Sequence, residues 1–275
     1  MESLTIHLDD TALPAFAHGE GELLVFLHGA PGDRRTWLAV MEALPPGLRA
    51  VSYTQRWFGA EPRDHGAAPF GTRALADDLL AVLDRLGGGP AHVVAWSFSA
   101  HAALAAALAR PQAFRSLFLY ELGFPTFVTD AADRAAIAAW GEAAFGPVAA
   151  ALARDDLEAA VACAIDAAAG APGHFERQPE ALRRIHAQNA HVLPRLFRQT
   201  PPVPISSADL ARLEPATTIA WGASTPVAYR LVGRAAARAA PQARALEIPG
   251  AGHLWPEVDP HAFAACVAEA AGRAG

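Results

Sequence analysis

The sequence predicts an α/β fold: a mostly parallel central sheet flanked by helices and interrupted by an inserted helical cap. Three observations carry that expectation. Short apolar runs alternate with helical segments through the first 125 residues. The alternation stops at Pro125 and resumes at Thr217. Between them, Thr126 to Leu213 shows Ala-rich helical segments and no strand pattern. The expected division is a core of residues 1–125 and 214–275 and a cap, or lid, of residues 126–213.

Taken in order, Ser3 to Leu8 alternates as an edge strand does, with Thr11 to Ala17 as its hairpin partner. Gly21 to Leu27 ends in Leu-Leu-Val-Phe-Leu, the run of a strand buried on both faces. The turn His28-Gly-Ala-Pro-Gly-Asp33 and a helix from Arg34 to Leu44 follow. Leu48 to Tyr53 reads as a strand and Thr54 to Phe70 as a polar loop. A helix runs from Thr72, its expected cap, to Leu86, where Gly87-Gly-Gly-Pro90 stops it. Ala91 to Trp96 is a strand that enters the Ala-rich helix Phe98–Arg110 without a linker. Pro111 ends that helix, and the strand Phe114–Tyr120 runs up to Glu121. Beyond the cap come a strand over Thr217–Trp221, a helix over Pro226–Ala240, a strand over Ala243–Ile248 and a closing helix over Glu257–Ala270.

Composition narrows the function. The net charge is −6 and all 22 basic residues are Arg, which argues against a dedicated nucleic-acid binder. Cys163 and Cys266 lie far apart in Ala-rich helical settings and are expected to be small buried residues, with neither a disulfide framework nor a metal spacing. The first thirty residues lack a charged stretch followed by an apolar run, and no apolar stretch is expected to reach membrane length. The Arg-rich piece Leu182–Arg198 is read as a solvated lid face rather than a membrane-surface helix. The expectation is a soluble, cytoplasmic protein that takes a small-molecule substrate and needs no cofactor.

The chemistry centres on Ala91-His-Val-Val-Ala-Trp-Ser-Phe-Ser-Ala100. Ser97 sits at a strand-to-helix junction with small residues two before it (Ala95) and two after it (Ser99), the pattern of a nucleophile elbow. The same serine also fits an ordinary helix N-cap, and the local sequence leaves both readings open. Two further signals accompany it in chain order: the His28-Gly-Ala-Pro-Gly turn and Gly250-Ala-Gly-His253 after the last strand.

Together these motifs resemble the α/β-hydrolase fold superfamily, in its lid-bearing branch with an HGxPG-type oxyanion loop. The resemblance covers nearly the whole chain, and Ser52-Tyr-Thr-Gln-Arg-Trp-Phe-Gly59 is similar to a further loop of the family. It implies a serine hydrolase of small apolar esters or lactones, working through an acyl-enzyme with Ser97 as nucleophile and His253 as base. The backbone N–H groups of Ala30 and Phe98 would form the oxyanion hole; Pro31 has no N–H to offer. His28 is read as bracing the loop and His101 as a packed core residue. Relatives that cleave C–C bonds, remove N-terminal proline or form peracids stay open, as does a non-hydrolytic small-molecule receptor on the same fold.

The chain departs from the family in two ways. Ala95 and Ser99 replace the usual elbow glycines, and no Asp or Glu lies between Gly222 and Leu246, where the triad acid commonly stands. Some α/β hydrolases, haloalkane dehalogenases among them, carry the acid at the end of the strand after the elbow helix. That position is Glu121, which is assigned the role; a purely structural carboxylate is the alternative. Trp57, Phe58, Trp96, Phe124, Phe127, Trp140, Phe145 and Trp255 are the candidate pocket aromatics, with lid-to-sheet packing as the competing use for many of them.

Overall fold

The computed structural model describes residues 1–60, 65 and 69–273. Part of the expected polar loop Thr54–Phe70 therefore lies outside the described residues. Eight strands form one sheet. In chain order its first half comprises β1 (Glu2–His7), β2 (Ala12–His18), β3 (Gly21–Leu27), a 3₁₀ turn (Arg34–Trp37) leading into α1 (Leu38–Glu42), β4 (Gly47–Tyr53), α2 (Thr72–Arg85), β5 (Ala91–Trp96), α3 (Phe98–Ala109) and β6 (Phe114–Tyr120). Only helices follow among the described residues up to Ala216: α4 (Ala131–Leu152), α5 (Leu157–Ala169), α6 (His174–Arg177), α7 (Glu180–Gln188), α8 (Leu193–Phe197) and α9 (Ser207–Leu210). The chain closes with β7 (Ala216–Gly222), α10 (Val227–Ala239), β8 (Arg244–Ile248), α11 (Trp255–Val258) and α12 (Pro260–Gly272).

The strand order is β1-β2-β4-β3-β5-β6-β7-β8. The β1/β2 and β2/β4 pairs are antiparallel and every other pair is parallel, so β3 through β8 end at one edge of the sheet. This is the α/β-hydrolase fold. The residues that follow β3, β5 and β6 are His28, Ser97 and Glu121, which brings three distant stretches of sequence to one rim.

Cores fill both faces of the sheet. One holds Leu75, Leu79, Leu104 and Val232 from α2, α3 and α10; the other holds Met41, Phe263 and Val267 from α1 and α12. Alanine dominates α3 because almost the whole helix is buried between the sheet and α2, where larger side chains would hold the backbones apart. Trp37, wholly buried, packs on Phe26 (5.0 Å between ring centroids) and Phe263 (5.6 Å). Truncating such a residue to Ala costs about 3–5 kcal/mol.

Four sequence expectations need correction. Thr72 is the first residue of α2 rather than its cap, and its hydroxyl accepts from Val203 N–H (3.0 Å). The closing helix is split, because Asp259 caps a new helix whose first residue is Pro260. Cys163 and Cys266 are half-buried, not buried; burial still pushes the Cys266 thiol up to about 11. Finally, α4 is 22 residues long and its most apolar 18 residues have a mean hydropathy of 1.4, enough to cross a membrane by length and composition alone. Its solvent side is lined with alanines, and Val148 and Ala151 are its buried residues.

Candidate active site

Ser97 occupies a strained backbone position at the β5–α3 junction, with φ 59° and ψ −120°. A non-glycine residue adopts such a conformation only where its surroundings enforce it. Its neighbours show how the turn forms without the usual glycines. Ala95 is fully buried, and the Ser99 hydroxyl folds back to share its one proton between Trp96 C=O (3.0 Å) and Leu27 C=O (3.2 Å). The Ser97 side chain makes no capping bond to its own helix, so the geometry decides against the ordinary N-cap. The hydroxyl instead lies 3.0 Å from His253 Nε2.

His253 Nδ1 lies 2.6 Å from Glu121 Oε2. A carboxylate only accepts, so the ring proton sits on Nδ1 and Nε2 is left to accept from Ser97 Oγ–H. Glu121 is fully buried and stands directly after β6 with φ 50°. Its Oε1 accepts from Gly222 N–H (2.8 Å) and its Oε2 also accepts from the Thr225 hydroxyl (2.7 Å). The loop after β7, which carries no acid, thus supplies the donors that orient the acid from β6.

The His253 ring is also held by aromatics. Tyr229, in the first turn of α10, stacks on it at 3.9 Å with 17° between the planes. Trp96 lies 5.6 Å away at 44°. Burial and then the Glu121 charge raise the Tyr229 phenol well above its usual range, so it stays neutral. Sequence reading missed Tyr229; its only signal was an aromatic residue in the loop searched for acids.

The turn after β3 lies against this centre. A Cβ on Gly29 would come within 3.3 Å of Ser97 Cβ, and one on Gly123 within 3.4 Å of Phe98 N. Among the described residues neither the Ala30 nor the Phe98 N–H donates a hydrogen bond, and both residues line the cavity at Ser97. His28 is buried and does not reach that cavity: Nδ1–H donates to Gly29 C=O (2.9 Å) and Nε2 accepts from Gln55 N–H (3.1 Å). His101 is likewise buried, bonding Val203 C=O through Nε2 (2.7 Å), and burial lowers its pKa.

A cavity of about 330 Å³ opens over Ser97 and His253, with walls drawn from the core and from α4, α5, α8 and α10. Phe124, Trp140 and Phe145 line it as expected from sequence. Trp57, Phe58, Trp96, Phe127 and Trp255 do not. Phe58 packs on His28 and Phe98, Trp57 on Phe70, and Trp255 on Tyr120 and Phe263; Phe127 is buried in the core, and Trp96 lies behind the turn after β3. Leu193, Leu196, Phe197 and Val232 take their place in the wall. Sequence periodicity shows which helix face is apolar but not what docks against it.

A polar seam fastens residues 178–191 to the core. Asn189 Nδ2 donates to Asp33 Oδ2 (2.9 Å) while its Oδ1 accepts from Gly59 N–H (2.6 Å). His186 Nδ1 donates to Pro31 C=O (3.0 Å) and Nε2 faces the Glu257 carboxylate (3.3 Å). Gln178 donates to that carboxylate from the same side (3.0 Å).

Comparison with known proteins places the chain. An epoxide hydrolase of Caballeronia sordidicola is 31% identical over 109 residues, 39% of this chain but only 33% of the relative, so the chain matches about a third of that protein's length. A hydrolase from Pseudomonas aeruginosa PA01 superposes with a TM-score of 0.77 at 24% identity, covering 98% of both chains. The enol-lactonase of Burkholderia xenovorans LB400 superposes with a TM-score of 0.76 at 17% identity, over 97% of this chain and 99% of the other. At those identities the two structures show the fold. Residues 24–266, most of the chain, match the alpha/beta hydrolase family, and the protein belongs to it.

Proposed function

We propose that the protein is a serine hydrolase of small, largely apolar esters or lactones. The observation that carries this reading is the hydrogen-bonded chain Ser97–His253–Glu121, opening onto a cavity walled mostly by apolar side chains. Ser97 Oγ attacks the carbonyl carbon while His253 Nε2 takes its proton, and Glu121 fixes the ring and stabilises the cation. The Ala30 and Phe98 N–H groups stabilise the oxyanion. Collapse expels the alcohol, to which His253 returns the proton. Water then attacks the acyl-enzyme by the same route in reverse, releasing the acid and restoring Ser97. Residues 126–213 act as the lid that shapes the acyl pocket, and this chemistry asks for no cofactor.

The match to an epoxide hydrolase and the fold shared with an enol-lactonase both fit a hydrolytic reading. A receptor on the same fold is the competing reading, favoured by the absent elbow glycines. A panel of p-nitrophenyl esters of increasing chain length tests the choice. Turnover that peaks at short to medium chains and is abolished in Ser97→Ala supports the hydrolase; turnover at background level for every ester supports the receptor.

A further inference from the structure

Behind the turn after β3 lies a second, much smaller chamber, with Trp96, His186 and Glu257 among its walls. Ala30, Ser97 and His253 line both this chamber and the substrate cavity, so the two meet at the reacting groups. It offers about 10 Å³ to the centre of a water, room for a single molecule.

Two of its walls carry buried polar atoms of opposite kind. Trp96 is 4% exposed, yet its indole N–H has no acceptor among the described residues. The Glu257 side chain is 1% exposed; its Oε1 lies 3.3 Å from His186 Nε2 but accepts no aligned hydrogen bond. A buried donor or acceptor left unmatched costs about 1–3 kcal/mol, so native structures rarely keep them. Two residues that line a one-water chamber thus carry one unmatched donor and one unmatched acceptor, and a bound water needs two or more polar partners.

We propose that this chamber binds the water that hydrolyses the acyl-enzyme, held between Trp96 Nε1–H and Glu257 Oε1. The inference rests on the serine-hydrolase reading above. The water oxygen bonds to the acyl carbon and gives a proton to His253 Nε2. The C–Oγ bond then breaks, His253 returns that proton to Ser97 Oγ, and the carboxylic acid leaves. Glu257 is not the base, because His186 and Gln178 already engage its carboxylate. Trp96 and Glu257 are positioning residues for this water, and in Trp96→Phe an aromatic ring is kept for the packing on His253 that both half-reactions share.

The test separates the two half-reactions with p-nitrophenyl butyrate. Stopped-flow release of p-nitrophenol reads acylation, and decay of the butyryl adduct by intact mass reads deacylation. Added methanol, too large for the chamber and entering from the substrate cavity, competes with water for the same acyl-enzyme and the same base. In Trp96→Phe, deacylation is expected to fall about tenfold while acylation stays within about twofold, the loss of one hydrogen bond to the nucleophile. The ratio of methyl butyrate to butyrate is expected to rise about fivefold or more. Glu257→Gln shifts the same ratio in the same direction, and it carries the test if Trp96→Phe does not fold. An unchanged ratio in both variants overturns the proposal, whether or not both steps slow together, since Trp96 then only packs against His253. Absence of both p-nitrophenol turnover and a butyryl adduct on wild-type Ser97 overturns the hydrolase reading itself.

Discussion

Glu121 and His253, 132 residues apart in sequence, meet with 2.6 Å between Oε2 and Nδ1. The bond explains how an elbow serine can sit beneath a loop after β7 that holds no acid. Because Gly222 N–H and Thr225 Oγ1–H both donate to the carboxylate, the usual acid loop has become the support of an acid placed elsewhere. Glu121→Gln keeps the shape and loses the charge that balances the imidazolium. Loss of the orienting carboxylate costs about 10⁴-fold in a serine protease, and here a fall in kcat/KM on the order of 10²-fold or more is expected. Thr225→Val, which removes one supporting donor, should lose far less. A Gln variant with full activity assigns Glu121 a structural role only.

The elbow, His253 and Glu121 were legible in the sequence for a local reason. Each stands at or just beyond the end of an apolar strand, and parallel strands deliver their ends to one rim. The pocket was not legible, because its walls depend on how α4, α5 and α8 dock on the core. Trp140 and Trp255 look alike as sequence, yet one faces the cavity and the other is wedged between Tyr120 and Phe263. The His186–Glu257 pair was equally silent: 71 residues separate its members, and neither belongs to a motif.

Trp140 touches Tyr229 (5.3 Å) and Phe145 (5.4 Å) at the edge of the cavity while remaining partly exposed. Trp140→Ala is expected to move the optimum of the ester panel toward longer acyl chains with little change in melting temperature. Uniform losses at every chain length, together with a lower melting temperature, would show that it serves stability instead.

Gly123 backs onto the elbow, where a Cβ would crowd Ser97 C (3.3 Å) and Phe98 N (3.4 Å). Gly123→Ala should shift the Phe98 N–H and lower kcat by roughly 10-fold or more with KM nearly unchanged, the pattern of an interaction made in the transition state. A rise in KM at constant kcat would place the effect on substrate binding.

The seam at Asp33 has a definite pH signature. Burial pushes its carboxyl up, but hydrogen bonds from Arg35 and Asn189 outweigh burial and hold it at about 2, below the usual 3.8. With the folded value depressed, the stabilisation is complete above pH 4 and disappears as pH falls through about 2. It amounts to roughly 2 kcal/mol at neutral pH. Asp33→Asn should lose about that much in urea unfolding at pH 7. The difference from wild type should close near pH 2; an equal gap at both pH values would contradict the assignment.

His186 carries the opposite sign. Burial lowers its pKa, but the Glu257 carboxylate, the Pro31 carbonyl and the Asp33 charge together raise it above the usual 6.5. Its stabilising contribution is therefore full below pH 6.5 and lost as pH rises through the raised value. Melting temperature against pH should fall on the alkaline side in wild type, and His186→Gln should flatten that limb. Parallel curves would remove His186 from the seam's pH dependence.

The central claim is that Ser97 is an activated nucleophile, and covalent labelling tests it most directly. Wild-type protein treated with a fluorophosphonate should gain one adduct mass, mapped by peptide sequencing to Ser97. Ser97→Ala should gain none, and His253→Ala should label at least 10²-fold more slowly. Wild-type protein that stays unlabelled, or an adduct on another residue, would contradict the account.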